Sequence, residues 1–294
     1  MRISIVWLSL EAMRRSAAAC PWWITIFAAL VMLPSLAAAE TPDWLFPDRA
    51  LLAGLRAGPR DPVTQSQLVY EWDNPTAFGP GVAGEASIAA SAAVLRLAGT
   101  GADDALVVGL EGATFARFSF QVVTRELVNT DWIFTLPLVW HRGAHWFRSR
   151  YYHTSSHLGD EYQQRFGPSS INFSRDGADL TAYRQVARGL GVYGLVFWSV
   201  NSHPEQRRLW ELRAGAEYDP GSGDLWQPFF SADIHGEEGT DWDPRLTLQI
   251  GIWLPKVDNR PLKLVLQGIT GPSPMGQFRQ RYSGRVGLGI FWTT

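Results

Sequence analysis

Cysteine is nearly absent. Cys20 is the one such residue in 294, and it lies within an apparent N-terminal leader, so neither disulfides nor a thiolate metal site holds the fold together. Lysine is almost as scarce: only Lys256 and Lys263 occur, and arginine supplies nearly all the positive charge. With 26 basic residues against 28 acidic ones, there is no basic excess to recognise nucleic acid. Beyond the leader there is also no apolar run of the ~20 residues that a spanning helix requires, so any membrane role demands a closed barrel.

The leader runs from the basic pair Arg14-Arg15 through the apolar stretch Trp22 to Leu36 and ends at Ala37-Ala38-Ala39, the layout of a secretory signal peptide. Residues 1–39 are therefore expected to be cleaved on export. Met13-Arg14-Arg15 opens a shorter leader of the same design, and the paired arginines give a weak twin-arginine signal. Cys20 precedes the apolar stretch, whereas a lipidated cysteine follows it. About 255 residues remain as the exported protein. Residues 40–62 read as an N-terminal periplasmic segment. The spacing of Leu51, Leu52 and Leu55 with the stops at Pro59 and Pro62 fits a short helix or plug, and a loosely ordered entry segment fits as well.

Residues 63–294 fall into short alternating segments separated by Gly, Pro, Asn and Asp clusters, without long helical periodicity, which is an all-β pattern. Three features favour a membrane barrel over a soluble sandwich: aromatic residues crowd the strand ends, successive strands keep one apolar parity, and the chain ends on a strand. That last strand sets Val286, Leu288, Ile290 and Trp292 on one face and Arg285, Gly287, Gly289 and Phe291 on the other. It resembles the C-terminal signal strand of outer-membrane barrels, with Thr293-Thr294 added beyond the aromatic.

The expected fold is an antiparallel transmembrane β-barrel of the outer-membrane type with about twelve strands. Nine are expected near 131–141, 145–157, 171–187, 190–200, 208–218, 226–235, 245–254, 261–269 and 277–292. Upstream, strands are expected near 104–112 and 115–123, plus one drawn from 64–73 or 85–97. Connection lengths alternate, long on the external side and short on the periplasmic side.

The densest cluster of reactive side chains runs from Tyr152 to Glu161. Arginine on the lipid face costs up to ~2–4 kcal/mol near the bilayer midplane, so Arg148 and Arg150 should face the lumen. Alternation then turns His153, Ser155 and His157 outward. Several readings of the cluster stay open. His153, Ser155, Ser156, His157, Asp160 and Glu161 suit a hydrogen-bonded knot that fixes an external loop, and His157, Asp160 and Glu161 together with Arg175 suit a binding cluster on the external rim. His153, His157 and Glu161 are also zinc-type ligands, but residues four apart on a strand lie ~13 Å apart, too far to share one ion, so no metal is expected. Arg148, Arg150, Arg175, Arg184 and Arg188 read as lumen residues paired with acids such as Glu211 and Glu217, or as the lining of an anion-selective passage.

An outward His-x-Ser pair high on the barrel resembles the outer-membrane phospholipase and lipid A deacylase barrels. That resemblance implies Ser155 as nucleophile, His153 as its base and Asn172 as the group orienting the imidazole. It also leaves calcium as the one ion worth testing, since the residues themselves indicate no cofactor. More broadly, Phe46-Pro47-Asp48, Pro59-Arg60-Asp61-Pro62, the block from His153 to Tyr162, Asn172-Phe173-Ser174-Arg175 and Gly271 to Phe278 resemble an exported bacterial family catalogued as domain of unknown function 1207. Its most specific motif here is Ser155-Ser156-His157-Leu158-Gly159-Asp160-Glu161. This second resemblance implies an outer-membrane barrel and assigns no activity.

Two functions follow as expectations: a surface-facing hydrolase of phospholipid or lipid A, or a non-enzymatic pore or envelope protein with an arginine-rich lumen. The expected partners are outer-membrane lipids or lipopolysaccharide, with the barrel-assembly machinery acting during insertion.

Overall fold

The computed structural model describes residues 43–167, 173–204, 209–221, 226–257 and 260–292. The expected leader, residues 1–39, and the candidate Asn172 lie outside them. Twelve antiparallel strands close into a barrel: β1 (Thr64–Asp73), β2 (Gly81–Gly101), β3 (Asp104–Ser119), β4 (Leu127–Arg142), β5 (His145–Leu158), β6 (Phe173–Ala187), β7 (Leu190–His203), β8 (Trp210–Tyr218), β9 (Pro228–Glu237), β10 (Arg245–Val257), β11 (Arg260–Pro272) and β12 (Tyr282–Trp292). Each pairs with its sequence neighbours, and β1 meets β12 with Thr64 opposite Trp292. Closure leaves no strand edge, and only an edge-free sheet satisfies its own backbone in hydrocarbon.

The strand count agrees with the sequence reading, but its upstream composition differs. Residues 104–119 form one strand instead of two, because Gly112 sits in the ladder opposite Ala90 and Phe134 without a turn. Both 64–73 and 81–101 are strands, and residues 120–126 form a loop.

The wall is built inside out relative to a soluble domain. In β5 the inward Trp146, Arg148 and Arg150 are buried, while the outward Phe147, Ser149 and Tyr151 are exposed. In β12 the inward Arg285 is buried, whereas Leu288 and Ile290 on the opposite face are 53% and 43% exposed. Period-2 alternation thus gives a polar lumen and an apolar outer surface. The connections sort by end as expected, with 74–80, 120–126, 159–172 and 273–281 long at one end, and 102–103, 143–144 and 188–189 short at the other. The connection at 219–227 is the long exception at the short-turn end.

Of the alternatives for the segment before β1, the plug is the one observed. A 3-10 turn at Arg49–Leu51 carries Leu51, Leu52 and Leu55 into the lumen, where they pack against Val107, Val139, Trp146 and Leu195. Ion pairs then bind the plug to the wall: Arg56 to Glu217 (2.9 Å) and Asp219 (2.7 Å), Arg60 to Glu85 (3.0 Å) and Asp131 (2.9 Å), and Asp61 to Arg213 (2.9 Å). His141 Nε2 adds a hydrogen bond to the Leu51 carbonyl at 2.8 Å. The helical spacing of the three leucines reflects one apolar side of an irregular segment.

At the long-loop end, helix α1 (Asp160–Phe166) and the 273–281 connection pack together as a cap. The helix follows β5, and its Tyr162 packs with Val128, Leu158, Met275 and Phe278. Two close approaches require glycine. A Cβ on Gly159 would sit 1.9 Å from the Leu127 carbonyl oxygen, and one on Gly276 would sit 2.6 Å from Ser156 Cβ. Asp160 and Glu161 occupy the first turn of α1, where the helix dipole favours negative charge.

Candidate functional site

Two polar centres meet at β5, one on each side of the wall. On the outside, antiparallel register sets His153 opposite Asp176 and Ser155 opposite Ser174. His153 Nδ1 lies 2.8 Å from Asp176 Oδ1. The same carboxylate accepts from Tyr151 Oη at 2.5 Å and from Asn201 Nδ2 at 3.4 Å. A carboxylate only accepts, so the imidazole carries its proton on Nδ1 and Nε2 is the basic nitrogen. Ser155, two residues along β5, shares this outer face, and among the described residues no hydrogen bond reaches its Oγ. The register row through Ser155 continues across Ser174 to His203, forming a small polar patch on an otherwise apolar wall.

On the inside, Ser156 and Asp131 form a closely bonded hub. Ser156 Oγ donates to Asp131 Oδ1 at 2.5 Å and accepts from the Gln277 backbone N–H at 3.1 Å. Asp131 also accepts from Asn129 Nδ2 (2.8 Å), from the Gly276 N–H (3.2 Å) and from Arg60 (2.9 Å). The plug, β4, β5 and the cap loop are therefore joined at one carboxylate.

The structure does not bring the proposed external-rim cluster together. His157 is exposed on the outer face, and Asp160 and Glu161 sit in the first turn of α1. Arg175 points into the lumen, bound to Glu211 and to Glu237, the latter at 2.7 Å. Strand alternation also breaks the expected hydrogen-bonded knot, because Ser156 faces in while His153, Ser155 and His157 face out. Arg148 and Arg150 face the lumen: Arg148 Nη1 donates to the Ala53 carbonyl at 2.6 Å, and Arg150 pairs with Asp179 at 2.8 Å. Arg184, on the outward parity of β6, and Arg188, in a turn, are exposed instead of lumenal, and the partner of Glu217 is Arg56 of the plug. Among the described residues no group of three or more His, Cys, Asp or Glu could hold a metal ion.

Asp176 escaped the sequence reading, although a signal for it existed. Lumenal Arg150 and Asp179 are the natural ion pair between β5 and β6. Setting them opposite each other fixes the register, and three residues further along β5 and three back along β6 bring His153 opposite Asp176. A separate concavity of about 870 Å³ on the outer wall is lined by Leu138, Trp140, Phe147 and Leu180 around the small residues Ser149, Ala182 and Gly194. It lies toward the short-turn end, ~20 Å along β5 from Ser155, apart from the polar patch.

No curated protein matches the chain at the sequence level. Among solved structures, the barrel is similar to outer membrane phospholipase A from Escherichia coli, with a TM-score of 0.54 at 14% identity over 83% of this chain and 96% of that one. It is also similar to the Salmonella typhi outer membrane phospholipase dimer with bound calcium, with a TM-score of 0.52 at 15% identity over 83% and 95%. A KdgM porin aligns with a TM-score of 0.45 at 12% identity over 79% and 99%. At these identities the likeness is one of fold: a twelve-stranded barrel of the outer-membrane type. The family model described as "Protein of unknown function (DUF1207)" matches residues 30–293, and the chain belongs to that family.

Proposed function

We propose that the protein is a bacterial outer-membrane lipid hydrolase whose reactive groups lie on the outer wall of the barrel, facing acyl chains. The observation that carries this reading is the 2.8 Å contact between His153 and Asp176 on the lipid-facing side, two residues from an outward serine. Asp176 holds the ring so that Nε2 is basic. Residues i and i+2 of a strand lie ~6.6 Å apart, so a rotamer change of the unbonded Ser155 side chain brings Oγ toward that nitrogen. His153 then takes the Ser155 proton as Oγ attacks the ester carbonyl, and returns it to the departing alcohol. Water repeats the exchange to release the fatty acid and restore the serine. In this reading Asp176 takes an orienting role, the one the phospholipase resemblance gave to Asn172, which lies outside the described residues.

The plug packed inside the lumen and tied to the cap loop through Asp131 favours this reading over the pore alternative. The test is fatty-acid release from phosphatidylethanolamine and from lipopolysaccharide by detergent-purified protein, with and without calcium. Ser155→Ala should abolish release, and Ser149→Ala, an outward serine lower on the same strand, should leave it unchanged. No release from either lipid by the wild-type protein would reject the hydrolase reading.

A further inference from the structure

Several of the segments that carry the family resemblance are not explained by the outer-wall patch. Arg60 and Asp61 of the plug, Phe173 and Arg175 of β6, and Ser273, Pro274 and Gly276 of the cap loop all line one internal chamber of about 130 Å³. Six arginines and five carboxylates line it. A void with this lining is not a dry cavity, since buried charge requires a polar occupant or a full set of partners.

The hydrogen-bond inventory says what kind of occupant fits. Arg150 and Arg175, 3% and 5% exposed, each keep a buried donor without a hydrogen-bond partner among the described residues, Nη1 in Arg150, whose nearest acid is Glu111 at 3.8 Å, and Nε in Arg175. Arg245 Nε is a third. Among the five lining carboxylates one fully buried oxygen, Asp179 Oδ1, is left without a donor among the described residues. Donors are therefore in surplus.

Direct ion pairing is also uneven. Arg175 binds Glu211 and Glu237, and Arg279 shares Glu237 at 2.9 Å. Arg245, beside them, has no carboxylate within ion-pair distance among the described residues and contacts His235 Nδ1 and the Pro272 carbonyl. Guanidinium only donates, so His235 Nδ1 accepts and its Nε2–H goes to Glu211 at 3.1 Å. That tautomer is neutral. Arg213 next to them pairs with both Asp61 (2.9 Å) and Asp233 (3.0 Å), so charge balances across this side of the chamber, but beneath the cap loop Arg245 itself is left without a direct carboxylate contact among the described residues.

We propose that the chamber is a binding site for a small oxyanion, a carboxylate or a phosphate group, held by Arg175, Arg245 and Arg150. The arginine forks match either geometry, and this site is independent of the outer-wall chemistry. The test uses the full chain refolded in detergent in the presence of radiolabelled inorganic phosphate or acetate, so that the cap does not limit entry, followed by equilibrium dialysis. One equivalent of one probe should remain bound, and which probe it is separates the phosphate class from the carboxylate class. Arg245→Gln should weaken retention about 10- to 100-fold, the loss expected for a charge-assisted hydrogen bond. Arg245→Lys keeps the charge and the fold while removing the Nε donor, and should weaken retention by a smaller factor. If Arg245→Gln fails to fold, the Lys variant decides alone. Retention of neither probe by the wild type, or retention unchanged in every variant that folds, would overturn the proposal.

Discussion

Ser155 and Ser156 are consecutive in sequence and opposite in circumstance. The first faces outward with its Oγ unbonded, beside an imidazole oriented by a carboxylate. The second faces inward and joins Asp131 to the cap loop. The lesson is that a strand divides its residues between two solvents, so one compact motif carries two unrelated jobs. Inward Ser156 and Leu158 of Ser155-Ser156-His157-Leu158-Gly159-Asp160-Glu161 join the wall to the cap, and outward Ser155 stands on the face that carries the His153–Asp176 pair. A motif read as one site is therefore misread wherever it lies on a barrel wall.

The sharpest way to break this division is chemical. Ser155→Ala should lower acyl release by at least about 10³-fold, equivalent to ~4 kcal/mol of barrier. Asp176→Asn should cost roughly 10²- to 10⁴-fold by losing control of the His153 tautomer. Both variants should still migrate as folded barrels in unheated gels. Wild-type activity in either variant would place the chemistry elsewhere.

The next largest effect belongs to the inner side. Asp131→Ala removes the acceptor shared by Ser156, Asn129, Gly276 and Arg60, leaving the partly buried Arg60 with Glu85 alone. Leaving those donors short of an acceptor costs ~1–3 kcal/mol, to be read from urea unfolding of the detergent-solubilised barrel. A loss below about 1 kcal/mol would show that the hub does not hold plug and cap together.

The barrel was legible because period-2 alternation is a local property. It placed the strands from β4 to β12 within a few residues, as for 145–157 against His145–Leu158. Legibility failed in β2, where the run Ala89 to Ala93 has weak strand propensity, and in β3, where a mid-strand glycine and the apolar Val122-Val123 of the following loop shifted the apparent boundaries. The plug was legible only as one alternative among several, because Leu51, Leu52 and Leu55 report an apolar side and not the surface it meets. His153 and Ser155 could be assigned to the outer face from Arg148 and Arg150, whose burial cost fixes parity. The partner of His153 depends on register across a long connection, which alternation alone does not determine.

A smaller test concerns acid. Burial pushes the Asp61 carboxyl up, but Arg213, aided by Arg150 and Arg148, overrides this and holds its pKa at about 2. A carboxyl depressed from ~3.9 stabilises the fold above that unfolded value, and the contribution fades as pH falls through about 2. It is on the order of 2 kcal/mol. Urea midpoints for the wild type should therefore drop between pH 4 and 2, and Asp61→Asn should flatten that component. An unchanged slope in the variant would mean that the plug is not anchored through Asp61.

The smallest expected effect returns to the two serines and separates their roles without an activity assay. Ser156→Ala deletes a buried hydroxyl that both donates to Asp131 and accepts from Gln277, leaving those groups short of a partner, which costs ~1–3 kcal/mol. Ser155→Ala deletes a hydroxyl that no hydrogen bond holds, on a face wetted by lipid or detergent, where a methyl group is at least as well accommodated. Its stability should stay within about 0.5 kcal/mol of the wild type. The difference between the two unfolding midpoints thus measures the asymmetry of the wall directly. Equal losses would mean that Ser155 is also structural, and its lack of bonding could no longer be taken as readiness to react.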